Sequence, residues 1–247
     1  MYASGPGPPM VDLGRRVTPD NSLASLEYLA YERIKEAIIT LAFPPNAPIV
    51  ETQLAESLGI SKTPLRAALM QLEREGFVAS IPYKGSRVAP ITLRQIAQLF
   101  QLREAIETYA VREAVRSCTE ADFQALEDLL RRQERAVTAE DFEASYLLDE
   151  QFHRYFIERL DNPHLTDIFR TISDHRRRLR HALAGSTLDP SPTVAPRHRM
   201  KLDAVRARDA AAAERCVVEA IQTTLRRVEA AEGAGLFGSG ETNGGAG

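Results

Sequence analysis

Tryptophan is absent from the chain, and cysteine occurs only twice, at Cys118 and Cys216. No disulfide framework is therefore expected, and the reducing cytoplasm is the expected location. No apolar run approaches the roughly 18 residues of a membrane span, so no membrane partner is expected. Also missing are a Ser, His and Asp set, a phosphate-cradling Gly loop and a paired-Cys zinc motif. These absences point to a sensor rather than an enzyme. The net charge of -3 offers no overall attraction for nucleic acid. What is present is an ordinary globular composition, 44% hydrophobic and 26% charged over 247 residues, long enough for two cores. Residues 1–22, "MYASGPGPPMVDLGRRVTPDNS", are rich in Pro, Gly and Ser, lack the apolar block of a secretion signal, and read as a disordered arm.

The charge that matters is local. Residues 61–90 hold Lys62, Arg66, Arg74, Lys84 and Arg87 against Glu73 and Glu75. Within "LAESLGISKTPLRAALMQLEREGF", residues 54–77, Leu54 and Leu58 lie one turn apart on a first helix, and Gly59 supplies the permissive backbone that ends it. Ser61 is placed to cap a second helix, whose first turn tolerates Pro64 because the missing N–H has no helical partner there. Leu65, Leu69 and Leu72 repeat at helical spacing and face inward, which turns Lys62, Thr63 and Arg66 outward near the helix N-terminus. Arg and Lys there suit guanine acceptors, and the free N–H groups suit phosphate. Leu26, Ala30, Ile34, Ala37, Ile38 and Leu41 form a preceding stripe, separated by "FPPNAP". "FVASIPYKGSRVAP" reads as two short strands joined around Lys84 and Gly85, a wing that carries Lys84 and Arg87 toward DNA.

On "LAESLGISKTPLRAAL" and "LEREGFV", residues 31–90 resemble the winged-helix domain of the GntR family of bacterial transcription regulators. That resemblance implies DNA contacts by Ser61, Lys62, Thr63 and Arg66 on the recognition helix, Gly85 at the wing tip, and Thr52 at the start of the preceding helix. Lys62 stands where the family usually has Arg, and Asn46 where it usually has Gly. Lys lacks the two-pronged fork of Arg, so a looser guanine preference is expected at that base.

Residues 91–231 read as about six helices in an antiparallel bundle, with capping signals at Thr92/Gln95 and Thr119/Asp122 and breaks at "DNPHL" and "GSTLDPSPTVAP". Residues 232–247 are glycine-rich and read as a disordered tail. The expected fold is thus mainly α: a disordered arm (1–22), an N-terminal winged helix-turn-helix domain (23–90), an all-α antiparallel bundle for effector binding and dimerisation (91–231), and the tail.

Three polar features interrupt apolar stripes of the bundle. Asp149 and His153 fall on the stripe Phe142, Tyr146, Asp149, His153, Phe156, Leu160, and His198 leads into Leu202 and Val205. Either these groups converge on a divalent metal, or Asp149 and His153 are a buried hydrogen-bonded pair with His198 unrelated. Arg103, on the stripe Ile96, Leu99, Arg103, Ile106, Ala110, needs an anion: a bound carboxylate effector, or a salt bridge with Glu104, Glu107 or another helix. The rival reading is an enzyme, a helical-bundle metalloenzyme of di-iron carboxylate type, from the Glu-x-x-His spacing of "EQFH" at Glu150–His153. It wants a second such pair, which is missing, and Glu150 lies off the apolar stripe.

Residues 91–231 are similar to the helical FCD effector domain of the FadR subfamily, which implies a metal site of one Asp, a His four residues on, and two further His. Asp149, His153 and His198 match three of these positions. The fourth falls at Ala220, which cannot bind metal; Glu219, Cys216 and His175 are alternative donors that spacing does not rank. Zinc, nickel or manganese suits such N and O donors, with a position left for water or an effector carboxylate. The resemblance further implies a homodimer on a two-fold symmetric DNA operator, a small organic acid or related metabolite as effector, and repression relieved by that effector.

Overall fold

In the computed structural model, residues 23–81, 83, 85–183 and 194–233 are described. The expected arm over 1–22, Lys84, most of the break at 185–196 and nearly all of the expected tail lie outside the described residues. Two compact units result: one runs up to Ile91 and includes Arg177–Ala182, and the other comprises Thr92–Arg176 and the chain from Leu183 onward. No described helix is long and apolar enough to cross a membrane.

The first unit runs α1 (Leu23–Ile39), β1 (Pro48–Ile49), α2 (Glu51–Leu58), α3 (Lys62–Arg74), β2 (Val78–Ile81) and β3 (Gly85–Val88). Ile34 and Ile38 on α1, Leu58 on α2, Leu65 and Leu72 on α3, and Phe77 and Val88 beyond are fully buried together. This is the apolar repeat expected from the sequence, closed into one core. The stripe departs from expectation at its end, because α1 stops at Ile39 and Leu41 takes a left-handed φ of 61°, leaving Phe43 to enter the core. Gly59 caps α2 with φ 70° and ψ 33°, and its N–H donates to the carbonyls of Ala55 and Glu56. Only glycine adopts that left-handed corner without strain.

The wing is a three-stranded antiparallel sheet in the order β1-β3-β2, with Val78 opposite Val88, Ile81 opposite Gly85, and Ile49 opposite Ser86. Strands β2 and β3 match the sequence reading. Strand β1 has two residues, too few to show the alternation that marks a strand.

The second unit carries α4 (Leu93–Ser117), α5 (Glu120–Thr138), α6 (Phe142–Glu158), α7 (Pro163–Ala182, to Arg176), α8 (Val194–Arg206) and α9 (Ala210–Gly233), the six helices expected. Helix α4 packs on α9, α5 on α6, and α8 on α4, α5 and α9. The Thr92 side chain accepts from the Gln95 N–H, and Thr119 with Asp122 forms a complete capping box. Asn162 in the "DNPHL" break accepts from the N–H groups of His164 and Leu165, starting α7. Two details of the α6 stripe differ from expectation. Phe142, in the first turn, is exposed, whereas Glu150 is buried because its carboxylate pairs with Arg154 one turn on.

Candidate DNA-reading face and metal centre

The N-terminal turn of α3 presents Lys62, Thr63 and Arg66 to solvent while Pro64 and Leu65 are buried behind them. Ser61 holds the N-cap position with extended backbone, φ -77° and ψ 166°, but its side chain makes no capping bond. Its exposed hydroxyl and the uncapped N–H groups of the first turn are therefore available to an external acceptor. Thr52 is exposed on α2. Arg66, whose side chain is 64% exposed, donates from Nε to Glu51 Oε2 at 2.8 Å, leaving the terminal nitrogens free to reach outward. Glu51 is a partner that helical spacing could not suggest, since it lies 15 residues away on another helix.

On the wing, Gly85 is exposed with φ 82°, and nothing lies within 4 Å of where a Cβ would stand. Its backbone, not crowding, is what demands glycine. Arg87 sits between β1 and β2 partners Pro48 and Ala79, half-buried, with a buried Nε that has no hydrogen-bond partner among the described residues. It is less free than a wing-edge arginine. Lys84 lies outside the described residues.

In the second unit, α6 and α8 bring Asp149, His153 and His198 together, with one donor atom of each lying within 4.8 Å of the others. His153 Nε2 and His198 Nε2 are 3.2 Å apart; Asp149 Oδ1 lies 3.6 Å from the first and 3.3 Å from the second. The other ring nitrogens are engaged. His153 Nδ1 is 2.6 Å from Glu107 Oε2 on α4, and His198 Nδ1 is 2.9 Å from Gln133 Oε1 on α5. A carboxylate and a carbonyl oxygen can only accept, so both imidazoles carry their proton on Nδ1 and turn Nε2 lone pairs toward each other. Arg103 Nη2 meets His153 Nε2 at 3.3 Å from one side, and two acceptor nitrogens facing a carboxylate oxygen favour a further cation among them.

The spacing fits one. Four ligands at zinc distances form a tetrahedron with edges of about 3.3 Å, which is close to all three separations. The Nδ1 contacts are the outer partners that orient metal-binding histidines. No fourth His, Cys or carboxylate joins the cluster among the described residues; Glu219, Cys216 and His175 stay outside it.

Charged groups surround the donors. Arg103 donates to Glu107 one turn away and places Nη2 3.3 Å from His153 Nε2, so the salt-bridge reading of Arg103 is realised with Glu107. Arg176 on α7 holds Asp149 Oδ2 at 2.8 Å. Lys201 on α8 is 3.2 Å from His153 Nδ1. Burial works against the Asp149 charge, while the Arg176 guanidinium on Oδ2 favours it, and the carboxyl lies well below the usual range. Burial likewise opposes the Glu107 charge, and Arg103 and His153 overcome it. Desolvation pulls His198 down to about 3 against the attraction of Asp149, so its ring is neutral, as a ligand must be. Burial also lowers Lys201 to about 8, partly offset by Glu107.

Glu107, Gln133, Arg176 and Lys201 were not assigned to the site from sequence. Glu107 carried a signal, one turn after Arg103; Lys201, three residues after His198, carried a weaker one. Glu150 bonds Arg154 and stays out of the donor cluster, so the di-iron reading has no support.

Residues 28–88 match the family described as bacterial regulatory proteins, gntR family, and residues 98–223, about half the chain, match the FCD domain. An uncharacterised HTH-type transcriptional regulator in an unstable DNA locus of Streptomyces ambofaciens is 31% identical over 198 residues, 80% of this chain and 81% of that protein. The uncharacterised HTH-type regulator YdhC of Bacillus subtilis (strain 168) is 29% identical over 58% of this chain and 65% of its own length, slightly under two thirds. Among solved structures, E. coli McbR/YncC superposes with a TM-score of 0.67 at 24% identity, covering 84% of this chain and 99% of that one, which shows the shared fold. The chain belongs to the GntR family of bacterial transcription regulators, with the winged helix-turn-helix and FCD architecture of the FadR-like branch, and it is a DNA-binding regulator rather than an enzyme.

Proposed function

We propose that this regulator reads a two-fold symmetric operator as a homodimer, through Ser61, Lys62, Thr63 and Arg66 in the major groove, with Thr52, Lys84, Gly85 and Arg87 on the backbone. Its grip on DNA is changed by a small organic acid bound beside a divalent metal at Asp149, His153 and His198. The observation that carries the second half is the meeting of two Nε2 lone pairs at 3.2 Å, with both Nδ1 groups already committed. A zinc, nickel or manganese ion held there supplies a Lewis-acidic position for an anionic oxygen. Arg103, buried with Nη2 3.3 Å from His153 Nε2, is a cation placed to meet such an acid. One recognition helix reads only a few base pairs, so a genomic site requires two copies about one DNA turn apart. Two such units cover enough duplex to exclude another protein from it, which is why repression is the default action proposed. The cytoplasm, where the DNA is, is the proposed location.

The test is selection of duplexes from a random pool, followed by titration of selected and random DNA at several salt concentrations, with light scattering on the same samples. A dimer that prefers the selected duplex, with preference lost in Arg66→Ala, supports the reading. Equal binding to both duplexes, or a monomer on the selected one, contradicts it.

A further inference from the structure

Lys201 is 4% exposed, on α8 one turn beyond His198, and its ammonium sits 4.8 Å and 5.1 Å from the ring centres of Phe152 and Phe156. Among the described residues no oxygen lies within hydrogen-bond distance of it, and Glu107 Oε2 stands 4.0 Å away. Its 3.2 Å neighbour, His153 Nδ1, already points its proton at Glu107 and so offers no lone pair. A fully buried cation thus faces the N–H edge of a candidate metal ligand.

Two consequences follow from chemistry. A carboxylate behind a histidine makes the ring a stronger donor, and here Arg103 and Lys201 both draw on that same Glu107 charge. Moreover, Arg103, Arg176 and Lys201 face Glu107 and Asp149, so the buried cluster carries three cations against two carboxylates before any metal enters. A divalent ion adds to this excess in a medium that screens poorly.

We propose that Lys201 is a built-in antagonist of metal binding, a positioning residue that weakens the Asp149–His153–His198 centre until an anionic oxygen donor enters with the metal. Metal and acid then bind as a pair, each weak alone, and the centre is loaded when both are present. This rests on the metal reading given above, and the experiment separates the two.

The full chain is titrated with zinc against a chromophoric chelator at one fixed pH, with and without acetate, for wild type, Lys201→Met, Lys201→Gln and Lys201→Arg, each checked for folding by melting. Both uncharged variants should bind zinc about 10- to 100-fold more tightly, the range by which outer-shell groups tune metal sites. Lys201→Arg should stay near wild type, and acetate should tighten zinc binding more in wild type than in Lys201→Met. Equal or weaker zinc binding in folded Lys201→Met and Lys201→Gln overturns the role of Lys201 while the metal site stands. An equal response to acetate in wild type and Lys201→Met overturns the pairing of metal and acid. No zinc binding by any of the four proteins overturns the metal reading and this inference with it.

Discussion

The recognition face of α3 and the polar cluster of the second unit use the same residue types in opposite ways. On α3, Ser61, Lys62, Thr63 and Arg66 stand in solvent, and the ion pair of Arg66 with Glu51 is open to water. In the bundle, Arg103, Glu107, His153, His198 and Lys201 are each at most 5% exposed, and they are linked to one another across α4, α6 and α8. An exposed polar group costs the fold almost nothing and contributes when a partner arrives. A buried one must be held by its neighbours at all times, so its removal disturbs the fold before it disturbs a ligand.

That contrast orders the expected mutational effects. Glu107→Ala leaves Arg103 and the His153 N–H without their acceptor inside the bundle and should cost about 3–5 kcal/mol of stability, read by denaturant unfolding. A loss under about 1 kcal/mol would mean that water reaches the cluster and that the contrast is false. Arg66→Ala should leave stability within about 0.5 kcal/mol. It should weaken binding to the selected duplex by about 1–3 kcal/mol and relax its base preference, read by titration. Thr119→Ala removes the half-exposed capping box of α5, intermediate between the two regions, and should cost about 1 kcal/mol by the same unfolding assay. The smallest effect is Lys62→Arg, which restores a bidentate fork on the open face and should sharpen preference for guanine at one position by duplex competition, with no change in melting.

The same contrast explains what could be read from the sequence. The corner at Gly59, the inward leucines of α3 and the outward Lys62, Thr63 and Arg66 are set by neighbours within a few residues, where helical periodicity acts. Asp149 and His153 were visible for the same reason, being one turn apart on α6. Gln133 and Arg176, in contrast, reach the cluster from 65 residues before His198 and 27 after Asp149. No local pattern encodes such a meeting; it exists only once α5, α7 and α8 have packed. Glu150 shows the converse error, since a residue off the apolar stripe was buried by pairing with Arg154. Strand β1 escaped because its two residues owe their conformation to β3 alone.

The most direct measurement is the zinc content and melting curve of the wild type beside His153→Ala and His198→Ala, before and after chelation and zinc re-addition. If Asp149, His153 and His198 form a metal centre, the wild type holds zinc when acetate is present, its Tm falls on chelation and returns with zinc and acetate, and neither variant retains metal or responds. A wild type that stays metal-free with acetate present, with a melting curve unchanged by added zinc and acetate, would contradict the centre and leave His153 bonded to Glu107 and Asp149 to Arg176 within a buried polar network.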